Sequence, residues 1–180
     1  YLNVGTGMAA GIVADGRIVR GANNNAGEVG HMVVDLSDDM PCVCGRCGCA
    51  ENMVSGVGFT RRARYLRERF RTALPPTPEG ENLDTVHLFR LADEGDPMCR
   101  QIADRAALAL ACVIMNLVRI SDPDVVVLGG GVVSDGWLLE KALPLLNPSA
   151  MRGVGGGVVL TAFQSRYAGL IGAASLGMNL

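Results

Sequence analysis

An α/β domain is the fold class this sequence predicts, on three observations. Short β-type runs open the chain and are punctuated by the turns Gly5-Thr6-Gly7 and Asp15-Gly16. A long helical pattern over about 97–120 leads into the β-branched run Val125-Val126-Val127-Leu128. That run ends on Gly129-Gly130-Gly131 and is followed by a second helical pattern, so strands come first and βα units after.

Tyr1-Leu2-Asn3-Val4 reads as a strand, entered without an initiator methionine as in a chain cut from something longer. Residues 11–19 place Asp15-Gly16 between two short β-type runs, a strong hairpin signal, so three antiparallel strands are expected to open the domain. Residues 21–56 are rich in glycine and cysteine and too irregular for regular structure; they read as an insertion built around metal and ligand. Helical pattern over 57–72 is broken by Leu74-Pro75-Pro76-Thr77-Pro78, because proline cannot continue a helix. The arginines of this stretch (Arg61, Arg62, Arg64, Arg67 and Arg69) alternate with Tyr65, Leu66 and Phe70 and read as a solvated helix face. A helix over 85–94 is expected to be capped by Thr85, and Asp96-Pro97 starts a longer one to about Ile120. Residues 57–96 thus form a helical segment. Between Ala106 and Val118 the long helix is apolar on nearly every side, the pattern of a helix buried against a sheet and a second subunit. Residues 125–128 read as a strand covered on both faces. Ser134 or Asp135 then caps a helix through Leu146, residues 158–162 make a last strand, and 167–178 a last helix.

With 180 residues, 49% of them hydrophobic and 19% charged, the chain can bury a core of its own. The longest apolar run, Ala106 to Met115, falls short of the roughly 20 residues of a membrane span, so no membrane association is expected. A formal charge of −2 supplies no basic field for a polyphosphate backbone, and 4% aromatic content leaves few stacking platforms, which argues against nucleic acid binding by this segment.

Cys42, Cys44, Cys47 and Cys49 fall within eight residues, followed by Glu51 and preceded by His31. Glycines at 45 and 48 let the chain wrap a small ion. A structural zinc takes four nitrogen or sulfur ligands, and five candidates compete for four places. Disulfides are the weaker reading, since two cysteines separated by one residue meet bridge geometry only with strain and no leader pattern opens the sequence. A redox or incidental cluster is the remaining alternative. Cys99 and Cys112 sit in apolar helical pattern and read as core residues.

Gly5-Thr6-Gly7 after a strand lets backbone N–H groups approach a phosphate, although a plain hairpin turn has the same pattern. Gly129-Gly130-Gly131 lies between a strand and a helix, where α/β sheets place nucleotides and where tight packing turns also occur. Glu28, His31 and Glu51 flank the cysteines. Carboxylates accept hydrogen bonds from sugar hydroxyls, and an imidazole fixed by a metal on one nitrogen offers the other to a hydroxyl; the alternative makes both glutamates supporting or solvent-facing charges.

In combination, Gly5-Thr6-Gly7, Ala26-Gly27-Glu28-Val29-Gly30-His31, Cys42-Val43-Cys44-Gly45-Arg46-Cys47-Gly48-Cys49-Ala50-Glu51, Asp122 to Gly131 and Ala168 to Ala174 resemble the ROK family (repressors, open reading frames, kinases) over nearly the whole chain. The resemblance implies the C-terminal lobe of an actin-like, ribonuclease-H-like ATPase fold with a zinc-binding insertion, the catalytic aspartate and the first phosphate motif belonging to an N-terminal lobe outside this chain. It implies zinc on His31, Cys42, Cys44 and Cys49, with Cys47 spare; sugar contacts from Glu28, His31 and Glu51; and phosphate or nucleotide contacts from Gly5, Thr6, Gly7, Gly129, Gly130 and Gly131. Met8-Ala9-Ala10 replaces a more glycine-rich loop, and Asn24 stands where glycine is frequent. The expected function is the sugar- and nucleotide-binding lobe of a cytoplasmic, ATP- and magnesium-dependent hexose or amino-sugar kinase, in a homodimer or homotetramer. The alternative is the sugar-sensing lobe of a ROK transcriptional regulator, which residues upstream of Tyr1 would distinguish.

Overall fold

The computed structural model describes residues 1–178. β1 (Leu2–Val4) turns back through residues 5–7 into β2 (Met8–Ala10), and β3 (Val13–Ala14) and β4 (Arg17–Ile18) follow as a tight ribbon. The cysteine-bearing segment is then interrupted only by a short 3-10 turn at Val29–His31. It ends in α1 (Glu51–Val54), which Ser55 separates from α2 (Gly56–Leu66). Next come α3 (Thr85–Asp93), α4 (Pro97–Ser121), β5 (Val126–Gly129), α5 (Trp137–Ala142), β6 (Val158–Leu160) and α6 (Ser165–Met178).

The main sheet has the order β2-β1-β5-β6, with β1, β5 and β6 mutually parallel and β2 antiparallel at one edge. The α/β expectation is met, but the opening strands do not form one three-stranded unit. Gly11 N–H donates to Tyr1 O and the chain leaves the sheet there, so β3 and β4 pair only with each other, around Asp15 and Gly16 in left-handed backbone. β5 is covered on one face, not two. Leu2, Leu128 and Val126 are buried, whereas Asn3 and Val159, which share a face with half-buried Val127, are exposed.

α4 is the core helix, packed by α3, α5, α1 and α2. At 25 residues it is long and apolar enough to cross a bilayer by length and composition, contrary to the sequence-based reading, but 61% of its most apolar window is buried inside this fold. Its outer stripe is more open than the sequence suggests: Leu108 is 55% exposed, and Cys112 and Met115 are half-buried. Asp96 starts α4 by accepting from Met98 N and Cys99 N, and the same carboxylate accepts from Thr72 Oγ1 and Ala73 N. One side chain thus caps the helix and closes the preceding loop.

Three local expectations need correction. Asp84, not Thr85, caps α3, because its carboxylate reaches Val86 N and His87 N while Thr85 is already helical. The helix after the triglycine begins at Trp137 behind Gly136 in left-handed backbone and ends at Ala142, where Pro144 tightens the chain into a 3-10 turn; Asp135 still accepts from Trp137 N. The arginines around α2 are only partly a solvated face: Arg64 and Arg69 are exposed, but each of the five also donates to a protein acceptor. Arg64 donates to Thr77 O and Pro78 O, Arg67 to Leu74 O and Pro75 O, and Arg62 is buried. A proline-rich loop lacks N–H groups to satisfy its own carbonyls, and guanidinium forks supply them.

Candidate functional site

Two clusters of sequence-predicted residues are assembled by the fold. The first is the cysteine loop. One ligand-capable atom from each of His31, Cys42, Cys44 and Cys49 lies within 4.8 Å of all the others, with His31 Nδ1 3.5 Å from Cys42 Sγ and Cys44 Sγ 3.5 Å from Cys49 Sγ. Sulfurs sharing a tetrahedral zinc at about 2.3 Å sit about 3.8 Å apart, so this donor set fits the ion. Cys47 lies outside it, exposed, with its thiol on Asp39 O at 3.5 Å.

The loop's shape follows from local backbone chemistry. Gly45 and Gly48 adopt left-handed backbone, and at Gly48 a Cβ would collide with Asp35 O. Cys42 N–H bonds to Arg46 O, Ala50 N–H to Met32 O, and Val34 N–H to Gly48 O, which sets His31 and Cys49 side by side. Arg46, unremarked in the sequence, donates from Nη2 to His31 O at 2.6 Å. Its backbone and guanidinium hydrogen bonds pull the Cys44 thiol down to about 6, whereas burial pushes Cys49 up to about 12. A cation beside three thiols offsets charge that a dipositive ion alone would leave uncompensated.

A network farther from the cysteines also escaped sequence reasoning. Arg62 meets Asp38 through two 3.0 Å bonds with both side chains buried, and Arg105 of α4 reaches Asp35 at 2.5 Å and Asp38 at 3.2 Å. Asn52 donates to Met40 O, and Arg61 to Pro41 O. Residues 12 to 70 positions apart meet here, separations that no local spacing encodes.

Among the predicted sugar readers, Glu28 and His31 line one open depression of about 590 Å³ with Asn25, Met32, Cys44 and Arg46. Glu51 does not join them on that surface. Its carboxylate accepts from Met8 N at 3.0 Å and packs against Gly7, where an added Cβ would meet Oε2 at 2.8 Å.

The second cluster is formed by the glycine turns. Because β1 and β5 are parallel neighbours, Gly5-Thr6-Gly7 and Gly129-Gly130-Gly131 emerge at the same end of the sheet. Gly130 must be glycine: φ is +102°, and a Cβ would lie 2.3 Å from Val4 O. All three carbonyls of the first turn are engaged, Gly5 O by Gly56 N, Thr6 O by Val57 N and Gly7 O by Gly5 N. Beside the second turn, Gly129, Val133, Ser134, Leu160, Thr161, Phe163 and Gln164 line a cavity of about 470 Å³ at the carboxyl ends of β5 and β6. Thr161, Phe163 and Gln164 were not singled out from sequence; their position just past a parallel strand was the available signal.

The ROK family model matches residues 1–179. The chain belongs to the ROK family. It is 33% identical to a glucokinase of Thermotoga maritima over 97% of this chain and 56% of that protein. It is 34% identical to a xylose repressor of Caldicellulosiruptor bescii, over 82% of this chain and 37% of the repressor. An N-acetylmannosamine kinase of Salmonella typhi is 32% identical over 98% of this chain and 55% of its own length. Among solved structures, a ROK hexokinase of Thermus thermophilus superimposes with a TM-score of 0.76 at 33% identity, covering 97% of this chain and 54% of that one. This ROK chain spans about half the length of the curated relatives it matches.

Proposed function

We propose that this chain is the sugar- and nucleotide-binding lobe of an ATP-dependent kinase acting on a hexose or amino sugar. The observation that carries the reading is the Glu51 hydrogen bond to Met8 N, which joins the cysteine segment to the Gly5-Thr6-Gly7 turn. A residue next to the sugar-facing loop thereby braces the turn expected to meet phosphate, as a transfer between the two ligands requires.

In this reading His31, Cys42, Cys44 and Cys49 hold one zinc, which supplies no redox or acid–base chemistry and serves to fix the loop. With Nδ1 on the metal side, the Nε2 of His31 is left to meet a sugar hydroxyl, and Glu28 accepts from another. Glu51 acts on the sugar directly only if its carboxylate also turns toward the depression; as placed it positions the Met8 backbone. The first turn, with its carbonyls engaged and the Gly5 amide bonded to Gly7 O, presents the Thr6 and Gly7 amides to phosphate, and Gly129 to Gly131 border the cavity for the nucleoside, with Thr161 and Phe163 on its wall. Magnesium and the base that takes the hydroxyl proton would be held elsewhere in the intact protein. The 1–180 lobe organisation, with 21–56 as the metal and sugar insertion and 57–96 as a helical segment, belongs to the same proposal, as does assembly into a homodimer or homotetramer in the cytoplasm.

The likeness to a repressor as well as to kinases keeps a second reading, a sugar-sensing lobe without phosphoryl transfer. A coupled ADP-release assay on the intact protein, with ATP, magnesium and a panel of hexoses and amino sugars, decides between them. Sugar-dependent turnover is the expected result. Sugar binding by calorimetry without turnover would replace the kinase by the regulator.

A further inference from the structure

We propose that Arg62, Asp38 and Arg105 form a strut that positions the cysteine loop and sets how firmly its metal is held; the inference rests on the zinc reading above. His31 and Cys49 are placed by backbone pairing, Val33 with Cys49 and Ala50 N–H with Met32 O. Cys42 and Cys44 lie at the far end of residues 35–41, a stretch without a regular element. Its ties to the helices are made by side chains. Asp35 and Asp38 are gripped by Arg105 and Arg62, and the carbonyls of Met40 and Pro41 by Asn52 and Arg61. Backbone pairing around Cys42 and Cys44, Pro41 with Cys47 and Cys42 N–H with Arg46 O, stays within the loop, so the strut is what ties that half of the ligand set to α2 and α4.

The chemistry points to positioning more than to stability. A buried ion pair gains little net stability over apolar packing of the same volume. What a planar fork on a carboxylate adds is direction: Nη1 and Nη2 of Arg62 take one oxygen each of Asp38, and Nε donates to Asn52 O. Asp38 then has one oxygen shared with Arg105, so α4 and α2 together fix the loop from two sides.

The test measures zinc transfer from the intact protein to a chromophoric chelator at a temperature well below unfolding, for wild type, Arg62→Met, Arg62→Lys and Arg105→Gln. Arg62→Met should release zinc at least about tenfold faster, the scale seen when partners that orient metal ligands are removed. Arg62→Lys, which keeps the charge but loses the fork, should fall between, and Arg105→Gln should release several-fold faster. Should Arg62→Met fail to fold, the partly exposed Arg105 carries the decision. Folded, zinc-loaded variants releasing metal at the wild-type rate would overturn the strut and leave the zinc reading standing. Wild-type protein purified without zinc would instead overturn that reading, and the strut with it.

Discussion

At the scale of single residues, the cysteines were readable because their ligand geometry is local, and Cys47 shows what spacing leaves open. The family resemblance sets it apart from the other four donors, and in the fold its thiol turns to Asp39 O. Cys44→Ser and Cys49→Ser should therefore lose the metal and disorder the 21–56 segment, since binding at such sites is worth on the order of 10 to 16 kcal/mol. Cys47→Ser should keep one zinc per chain. Metal analysis with limited proteolysis reads both. The two glutamates, equivalent in sequence, have different surroundings. Glu28→Gln should weaken sugar binding about ten- to a hundred-fold by removing a charge-assisted acceptor from the depression. Glu51→Gln keeps an oxygen that can accept from Met8 N, so its effect should be smaller on sugar affinity and should extend to nucleotide affinity. Equal calorimetric losses for sugar alone in both variants would contradict that division. Arg46 and the Asp38–Arg62 pair were invisible beforehand because arginine's partner is chosen by tertiary distance, and a run of arginines looks the same whether solvated or buried.

Individual elements were predicted well where a local rule decided them and less well where packing did. The start of α4 at Asp96-Pro97 was legible because capping and proline at the first helical position are local preferences. The separation of the β3–β4 ribbon from the main sheet was not, since it depends on where β1 finds a parallel partner 126 residues later in β5. Asp96 offers a test at this scale. Asp96→Ala should cost about 2 kcal/mol or more, beyond a simple cap, because Thr72 and Ala73 lose their acceptor as well. Burial pushes this carboxyl up, but the N–H groups of Cys99 and Ala73 and the Thr72 hydroxyl outweigh it and hold the pKa below the ordinary value. A group lowered in the folded state contributes stability above its unfolded pKa, near 3.9, and loses it as pH falls through the folded value. Thermal melts between pH 6 and 2 should accordingly converge for wild type and Asp96→Ala at the acid end. A constant gap would mean that the carboxylate's charge is irrelevant.

For the whole molecule, composition and strand order predicted the α/β class, and the family motifs carried the rest, including a match over residues 1–179. What they did not convey is how much apolar surface stays open. Leu108 on α4, Val159 on β6 and Leu170 and Ile171 on α6 are all exposed. Assembly of the intact protein into dimers or tetramers is the expected consequence for α4, and light scattering finding only monomer through the micromolar range would contradict it. On the proposed lobe reading, residues 1–180 by themselves should give only background in the ADP-release assay, because one wall of a cleft would not align two reactants. Sugar-dependent turnover by the isolated chain would place a base within it, with Glu28 and Glu51 the first suspects.

The engaged carbonyls of Gly5, Thr6 and Gly7 bear on how freely this turn can drift in sequence. Its polarity is written in the main chain, so side chains at Met8, Ala9 and Ala10 can vary without reversing which groups face outward. Thr6→Val should be tolerated with a modest loss, the hydroxyl being a supplementary donor. Gly7→Ala should fold as well, because the new methyl meets only the end of the Glu51 side chain, which can swing aside; what it should lose is the Met8 N–H bond to that carboxylate, and calorimetry should read this as weaker nucleotide binding.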